Sequence, residues 1–297
     1  MDFSLFPQLI VYSLITGSLY ALVSAGLSLN YGLLRVLNFA HGHMMMVGAY
    51  AFYFFSQEQG FSLFNSSIGT VGIAAVLATF TLLIFIRPFT KFSYQLTLVT
   101  TLALGTILES LVSLFFGVDV KSLMGYSGES IEFGSVYITP IQIGIILSAV
   151  VVLGAVAYLV HATAVGRMIR AVRESPSAAE SLGISERKVT GGVFLLATVL
   201  ACFAGVMVGV ETNLQPTMGN AYTMKAFAAM ILGGLGNVWG TVFGAYLLGF
   251  IENFSIGLDF WGVSLPTGYK DAFAFVIILL VLLVRPQGLF GSKARGV

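Results

Sequence analysis

From residue 8 to residue 284 the chain offers one apolar run after another, most near twenty residues long and almost free of charge. A helix of about twenty residues matches the ~30 Å hydrocarbon core of a bilayer, and in lipid each backbone polar group must find its partner within the protein. Seven segments are expected to be full spans: 8–29, 37–56, 68–86, 95–116, 137–160, 190–212 and 269–284. An eighth, 225–252, is broken by Gly233, Gly234, Gly236, Asn237 and Gly240. It is too short for two full crossings. It reads as a hairpin of short helices entering and leaving by one side, or as one long kinked span. The expected fold is an all-α polytopic membrane protein with about eight membrane segments, forming one domain over 1–297.

Composition agrees. Hydrophobic residues make up 57% of the chain and charged residues 9%, with mean hydropathy +0.94, where soluble domains carry about 25% charge. A net charge of +1 offers no bulk attraction to nucleic acid. The single cysteine, Cys202, excludes an intrachain disulfide and a thiolate metal cluster, and reads as a small core residue. The opening MDFSLFPQ lacks a basic n-region, so the first segment is expected to be a permanent span rather than a cleaved signal.

Basic residues set an orientation. With the N-terminus outside, the inner segments hold Arg35, Arg87, Lys91, Arg167, Arg170, Arg173, Arg187, Lys188, Arg285, Lys293 and Arg295, eleven of the fourteen. The outer segments hold Lys121, Lys225 and Lys270. This places the C-terminus in the cytoplasm and requires 225–252 to begin and end outside. Ala197, Ala201, Gly205 and Gly209, and again Gly236, Gly240 and Gly244, form small-residue ridges suited to close helix packing, within the chain or against a second membrane subunit.

The longest polar stretch is the loop 161–190, inside on this count. In it Ser175 can cap a helix, Pro176 suits the first helical position, Ser177 and Glu180 have capping-box spacing, and Gly183 suits the residue past the end. A short helix is predicted at about 176–182. Such a helix could be a lever moved by a soluble partner, or could lie on anionic lipid headgroups.

Polar residues inside apolar runs mark candidate pathway positions. Asn38 and His41, near the start of the second span, could bond a polar solute, or could cap the helix with Asn38 as N-cap. No carboxylate or cysteine stands at ligand spacing from His41 and His43, which argues against a metal site. Glu109 is expected to be the only carboxylate well inside a span, with Thr97, Thr101, Gly105 and Ser113 on its ridge; it could meet an ammonium group, sit protonated, or bond a neighbouring helix. Glu211 and Asn213 stand at the outer end of the sixth span. The break at Gly233, Gly234, Gly236 and Asn237 could present half-helix ends to a carboxylate, or could be a plain packing kink. No catalytic nucleophile or metal cluster is visible, and none of the six lysines follows a glycine, so a G-x-x-x-x-G-K loop is lacking.

An ordered set of short motifs resembles a known family. It comprises Leu37-Asn38-Phe39-Ala40-His41-Gly42 after Tyr31-Gly32, the loop GRMIRAVRESPSAAESLGI from Gly166 to Ile184, Met224-Lys225-Ala226-Phe227 leading to Leu232-Gly233-Gly234-Leu235-Gly236, and Tyr269-Lys270-Asp271 with Val284-Arg285-Pro286-Gln287-Gly288. Over nearly its whole length the chain is similar to the permease subunit of ATP-binding-cassette importers of the branched-chain amino-acid (LivH-like) type. The resemblance implies a heteromer with a second homologous permease, two cytosolic ATPase subunits that use ATP and Mg, and an extracytoplasmic solute-binding protein, with no cofactor on this chain. It also implies an ATPase-coupling helix with Glu174, Ser175, Pro176, Ala178, Ala179, Glu180, Leu182 and Gly183. His43 and Met44 to Met46 depart from the acidic residue that related chains often carry after His-Gly. Import of urea or a short amide is the neighbouring alternative; an ion-coupled secondary transporter would need more core acids than Glu109.

Overall fold

The computed structural model describes residues 6–90, 92–123, 130–134, 136–257 and 269–291. Lys91, Lys293 and Arg295 of the charge count, and the first five residues of the expected signal-free N-terminus, lie outside them.

The fold is all-α and polytopic apart from one small hairpin. In chain order the helices are α1 (Phe6–Leu34), α2 (His41–Tyr53), α3 (Leu63–Phe80), α4 (Arg87–Thr90), α5 (Tyr94–Phe116), α6 (Pro140–Ala162), α7 (Ala164–Glu174), α8 (Pro176–Ser181), α9 (Glu186–Glu211), α10 (Met218–Gly233), α11 (Val238–Gly257) and α12 (Lys270–Val284). Wide π-type turns extend α2 over Phe54–Glu58 and join α3 to α4 over Thr81–Ile86. The second is tied to α5, whose Thr100 hydroxyl donates to the Phe85 carbonyl at 3.0 Å.

Five units among the described residues are long and apolar enough to cross a membrane: Phe6–Leu34, Leu63–Thr90, Tyr94–Phe116, Pro140–Ala162 and Glu186–Glu211. α10 and α11 form a sixth, bent by 116° at their break. α2 and α12 are shorter than the expected segments 37–56 and 269–284. For α2 the reason is local: Arg35 takes a left-handed φ of 52°, and residues 35–40 leave the helix before His41 starts the next one.

Helices α1, α2, α9, α10 and α11 make the core, while α3, α5 and α6 stand around it with most of their surface open. The small-residue ridges are intrachain seams. Gly48 of α2 lies against Cys202 of α9, and a Cβ there would collide with the Cys202 backbone. Gly240 and Gly244 of α11 lie against Gly233 and Ala229 of α10. Cys202 is buried and donates to the Met44 carbonyl at 3.4 Å.

The linker before α6 carries two three-residue strands, β1 (Ile131–Phe133) and β2 (Val136–Ile138), antiparallel with Ile131 opposite Ile138. Gln8 brackets Tyr137 with two hydrogen bonds of 2.7 and 3.0 Å, and Lys121 pairs through its backbone with Leu214. These contacts gather one end of the bundle. At the other end the tip of the α10–α11 hairpin meets Gly32 of α1 and the Arg173 side chain of α7.

Candidate functional site

The interior site begins with the non-helical stretch before α2. Unpaired backbone at membrane depth is tolerated only where protein or water satisfies it, and the donors from Phe39 to Gly42 have partners. Phe39 N–H donates to the Thr101 hydroxyl of α5 at 3.3 Å, and Gly42 N–H to the Thr223 hydroxyl of α10 at 3.1 Å. Ala40 N–H donates to Asn38 Oδ1 at 3.1 Å, and His41 N–H to the Asn38 carbonyl at 3.3 Å. The N-cap position belongs to Ala40, not Asn38; Asn38 closes a turn one step earlier. His41 is fully buried and its Nε2 donates to the Val23 carbonyl of α1 at 3.1 Å. Val23 lies eleven residues, about 16 Å along a helix, from the Leu34 end of α1. The second segment therefore starts deep in the bundle rather than at its edge, because the chain doubles back at Arg35.

Two residues further on, His43 Nε2 stands 3.4 Å from Glu109 Oε2 of α5. Asn220 of α10 donates to the same carboxylate oxygen at 3.0 Å. Gly105, one turn from Glu109, makes room: a side chain there would press on the His43 ring. The cluster is asymmetric in exposure, with the His43 side chain 4% and the Glu109 side chain 26% accessible. Asn220 and Met224 of α10 and Thr106 of α5 are exposed beside it. A polar rim thus opens on a face otherwise made of apolar side chains, and the first turn of α2, with its partial positive charge, stands behind it.

Glu109 is not the only carboxylate inside a span. Glu252 of α11 is 1% accessible and accepts from the Tyr20 hydroxyl at 2.7 Å. Lys225, which the charge count places in an outer segment, is inside α10. Its ammonium donates to Tyr20 at 2.7 Å, lies 3.3 Å from Glu252, and pairs with Asp271 of α12 at 2.9 Å. Sequence reasoning missed this network because it ended the apolar stretch at Lys225 and Glu252 themselves. The helix begins earlier, at Met218.

The hairpin break does not join the Glu109 cluster. Gly234 and Gly236 take positive φ of 109° and 77° and turn the chain between the helices. Asn237 caps α11, its Oδ1 accepting from Gly240 N–H at 3.2 Å. The stretch after α12 closes the other side: Leu289 N–H donates to the Leu232 carbonyl at 2.8 Å and Phe290 N–H to that of Gly233 at 3.2 Å.

In the loop 161–190, the Ser175 hydroxyl accepts from Ala178 N–H, Pro176 opens α8, and Gly183 leaves it at φ +81° while Ile184 N–H returns to the Ala179 carbonyl. Ser175 does the capping, and Ser177 only touches it at 3.3 Å. Glu174, Ala178, Glu180, Leu182 and Gly183 are exposed and Ala179 is buried. The preceding α7 was not foreseen. Its apolar Val165, Met168, Ile169 and Val172 recur at helical spacing, a signal that the neighbouring arginines obscured. Glu211 is held by Gln142 Nε2 at 2.9 Å, at the end of α9 near the Lys121–Leu214 pair.

A membrane bundle with a polar rim on one face, a broken hairpin and an exposed helical foot on one loop is the build of a transport permease. The family described as "Branched-chain amino acid transport system / permease component" matches residues 9–282, and the chain belongs to it. It is a permease component and not an enzyme. The chain is 30% identical to the high-affinity branched-chain amino acid transport system permease protein LivH of Escherichia coli (strain K12), covering 98% of this chain and 97% of that one. It is 29% identical to the corresponding protein BraD of Pseudomonas aeruginosa, covering 96% and 95%. The fold is similar to that of PsaBC from Streptococcus pneumoniae, solved with a Fab, at TM-score 0.52 and 12% identity over 96% of this chain and 94% of that one.

Proposed function

We propose that this chain is one half of the pathway by which a branched-chain or similar hydrophobic amino acid crosses the cell (inner) membrane. A second homologous permease supplies the other half. Two cytosolic ATPase subunits, using ATP and Mg, drive it, and an extracytoplasmic binding protein delivers the solute. The observation that carries the reading is the half-open His43–Glu109–Asn220 cluster. A charged rim on a membrane face is costly against hydrocarbon, so that face must meet water and another protein. Glu109 offers the ammonium of a zwitterion an acceptor, and the apolar surfaces beside it suit an aliphatic side chain. Asn38, His41 and Thr101 brace the wall behind it.

In this reading the N-terminus is outside and the C-terminus in the cytoplasm, with α2 and α12 completing about eight membrane segments over a single domain. The stretch Glu174 to Gly183 is the coupling helix. Movement of α8 passes to α7, whose Arg173 adjoins Gly236 at the hairpin tip, and Gly233, Gly234, Gly236 and Asn237 act as its hinge. Alternating access follows from tilting α10 and α11 against α5. The test is uptake into proteoliposomes holding the complete complex. Leucine should enter only with ATP, and Glu109→Gln should lower uptake at unchanged ATPase assembly. Full uptake on an ion gradient without nucleotide would overturn the reading.

A further inference from the structure

Beside the coupling loop, α6, α7 and α9 enclose a groove of about 720 Å³. Leu159, Met168, Ile169, Leu196 and Val199 are among its walls, Gly183 and Ile184 edge it, and Lys188 stands among the lining residues in the first turn of α9. From Lys188 to Val199 is eleven residues, about 16 Å of helix, or roughly half of the ~30 Å hydrocarbon core. The groove therefore has the depth of one leaflet.

Its charge is confined to one end. Lys188 is exposed and forms no ion pair among the described residues. Glu186 is two positions away, about 200° round the helix, and does not line the groove. Arg87 is engaged with the Arg187 carbonyl at 2.8 Å. An occupant matching this shape has an anionic head and an aliphatic tail. A free anion would leave the apolar walls uncovered, and a zwitterionic lipid would bring its own cation close to the ammonium.

We propose that the groove binds an anionic phospholipid of the leaflet facing the coupling loop, with the phosphate on Lys188 and one acyl chain between α7 and α9. The assignment of that leaflet as cytoplasmic rests on the orientation given above; the binding itself does not. Because Gly183 and Ile184 form the rim, the bound lipid steadies the segment joining the α8 foot to α9.

The test is native mass spectrometry of the complete complex released from nanodiscs of equal phosphatidylglycerol and phosphatidylcholine. The wild type should retain phosphatidylglycerol about fivefold over phosphatidylcholine, the preference expected for one surface lysine. Lys188→Gln should abolish the preference, Lys188→Arg should restore it, and Leu196→Trp, which narrows the groove, should lower retention of both lipids. Arg167→Gln, an exposed cation that does not line the groove, should change nothing. An undiminished preference in Lys188→Gln, or an equal loss in Arg167→Gln, would refute the site. So would displacement of the lipid by excess inorganic phosphate, or lipid retention only after the ATPases are stripped away, which would mean that protein fills the groove. The readout counts lipid and not transport, so failure of the importer reading would leave this result standing.

Discussion

Replacing Lys225 with methionine removes the cation from a carboxylate that has almost no access to solvent. Glu252 is 1% accessible, and Lys225 lies 3.3 Å away. Removing one partner of a buried pair costs about 3–5 kcal/mol, because the remaining charge stays desolvated. The Tyr20 hydroxyl still donates to Glu252, which places the expected loss toward the lower end. Asp271, more than half exposed, contributes to the pair with Lys225 at the level of a surface ion pair, about 0–1 kcal/mol. At roughly 2–4 °C per kcal/mol for a chain of this size class, Lys225→Met should lower the detergent melting temperature by about 6–12 °C, and Asp271→Asn by about 4 °C or less. The double variant Lys225→Met with Glu252→Gln should recover most of the loss, since it removes both charges together. The assay is thermal unfolding of the four proteins in one detergent at one lipid content. A single Lys225→Met as stable as Asp271→Asn, or a double variant no better than the single, would refute the argument that Glu252 depends on this cation.

Other outcomes follow from the same geometry. Glu109→Gln keeps a hydrogen-bonding shape for Asn220 and should change the melting temperature by less than about 3 °C while reducing solute uptake; unchanged uptake would remove Glu109 from the pathway. Gly183→Val forces a branched side chain to φ +81°, which costs about 1–2 kcal/mol and reshapes the exit from α8. Co-purification of the ATPases should fall while membrane insertion stays normal, and intact association would argue against the foot. Gly48→Val drives a side chain into the Cys202 backbone and should abolish the folded species on size exclusion, whereas Gly72→Val, with open space around it, should be tolerated. Leu289→Pro removes the N–H that satisfies the Leu232 carbonyl. It should destabilise the hairpin by about 1–3 kcal/mol, seen as faster proteolysis between α10 and α11.

What could be read from the sequence is what is decided locally. The α8 foot follows from Ser175, Pro176 and Gly183, three residues whose preferred conformations occur within one turn of each other. The ridge Ala197-Ala201-Gly205-Gly209 announces a close seam because small residues four apart can serve little else on a helix. What escaped reading depends on partners distant in the chain. Lys225 and Glu252 resemble span boundaries until α10 and α11 fold back on one another and bring in Tyr20 from α1. Asn38 carries the chemistry of an N-cap, yet the left-handed turn at Arg35 shifts the helix start to His41. The Glu109 cluster is half legible: an acid in an apolar run signals itself, while Asn220 lies between the expected segments 190–212 and 225–252.

The last described stretch of the chain has a bearing on how the protein is made. Asn237 bonds the Phe290 carbonyl across 53 residues, and the two neighbouring backbone bonds to Leu232 and Gly233 cross a similar distance. None of them can form until α12 and the residues behind it have emerged from the ribosome. These bonds therefore form after the two helices they brace, and a chain truncated shortly after Val284 would carry α10 and α11 without the contacts that close the turn between them.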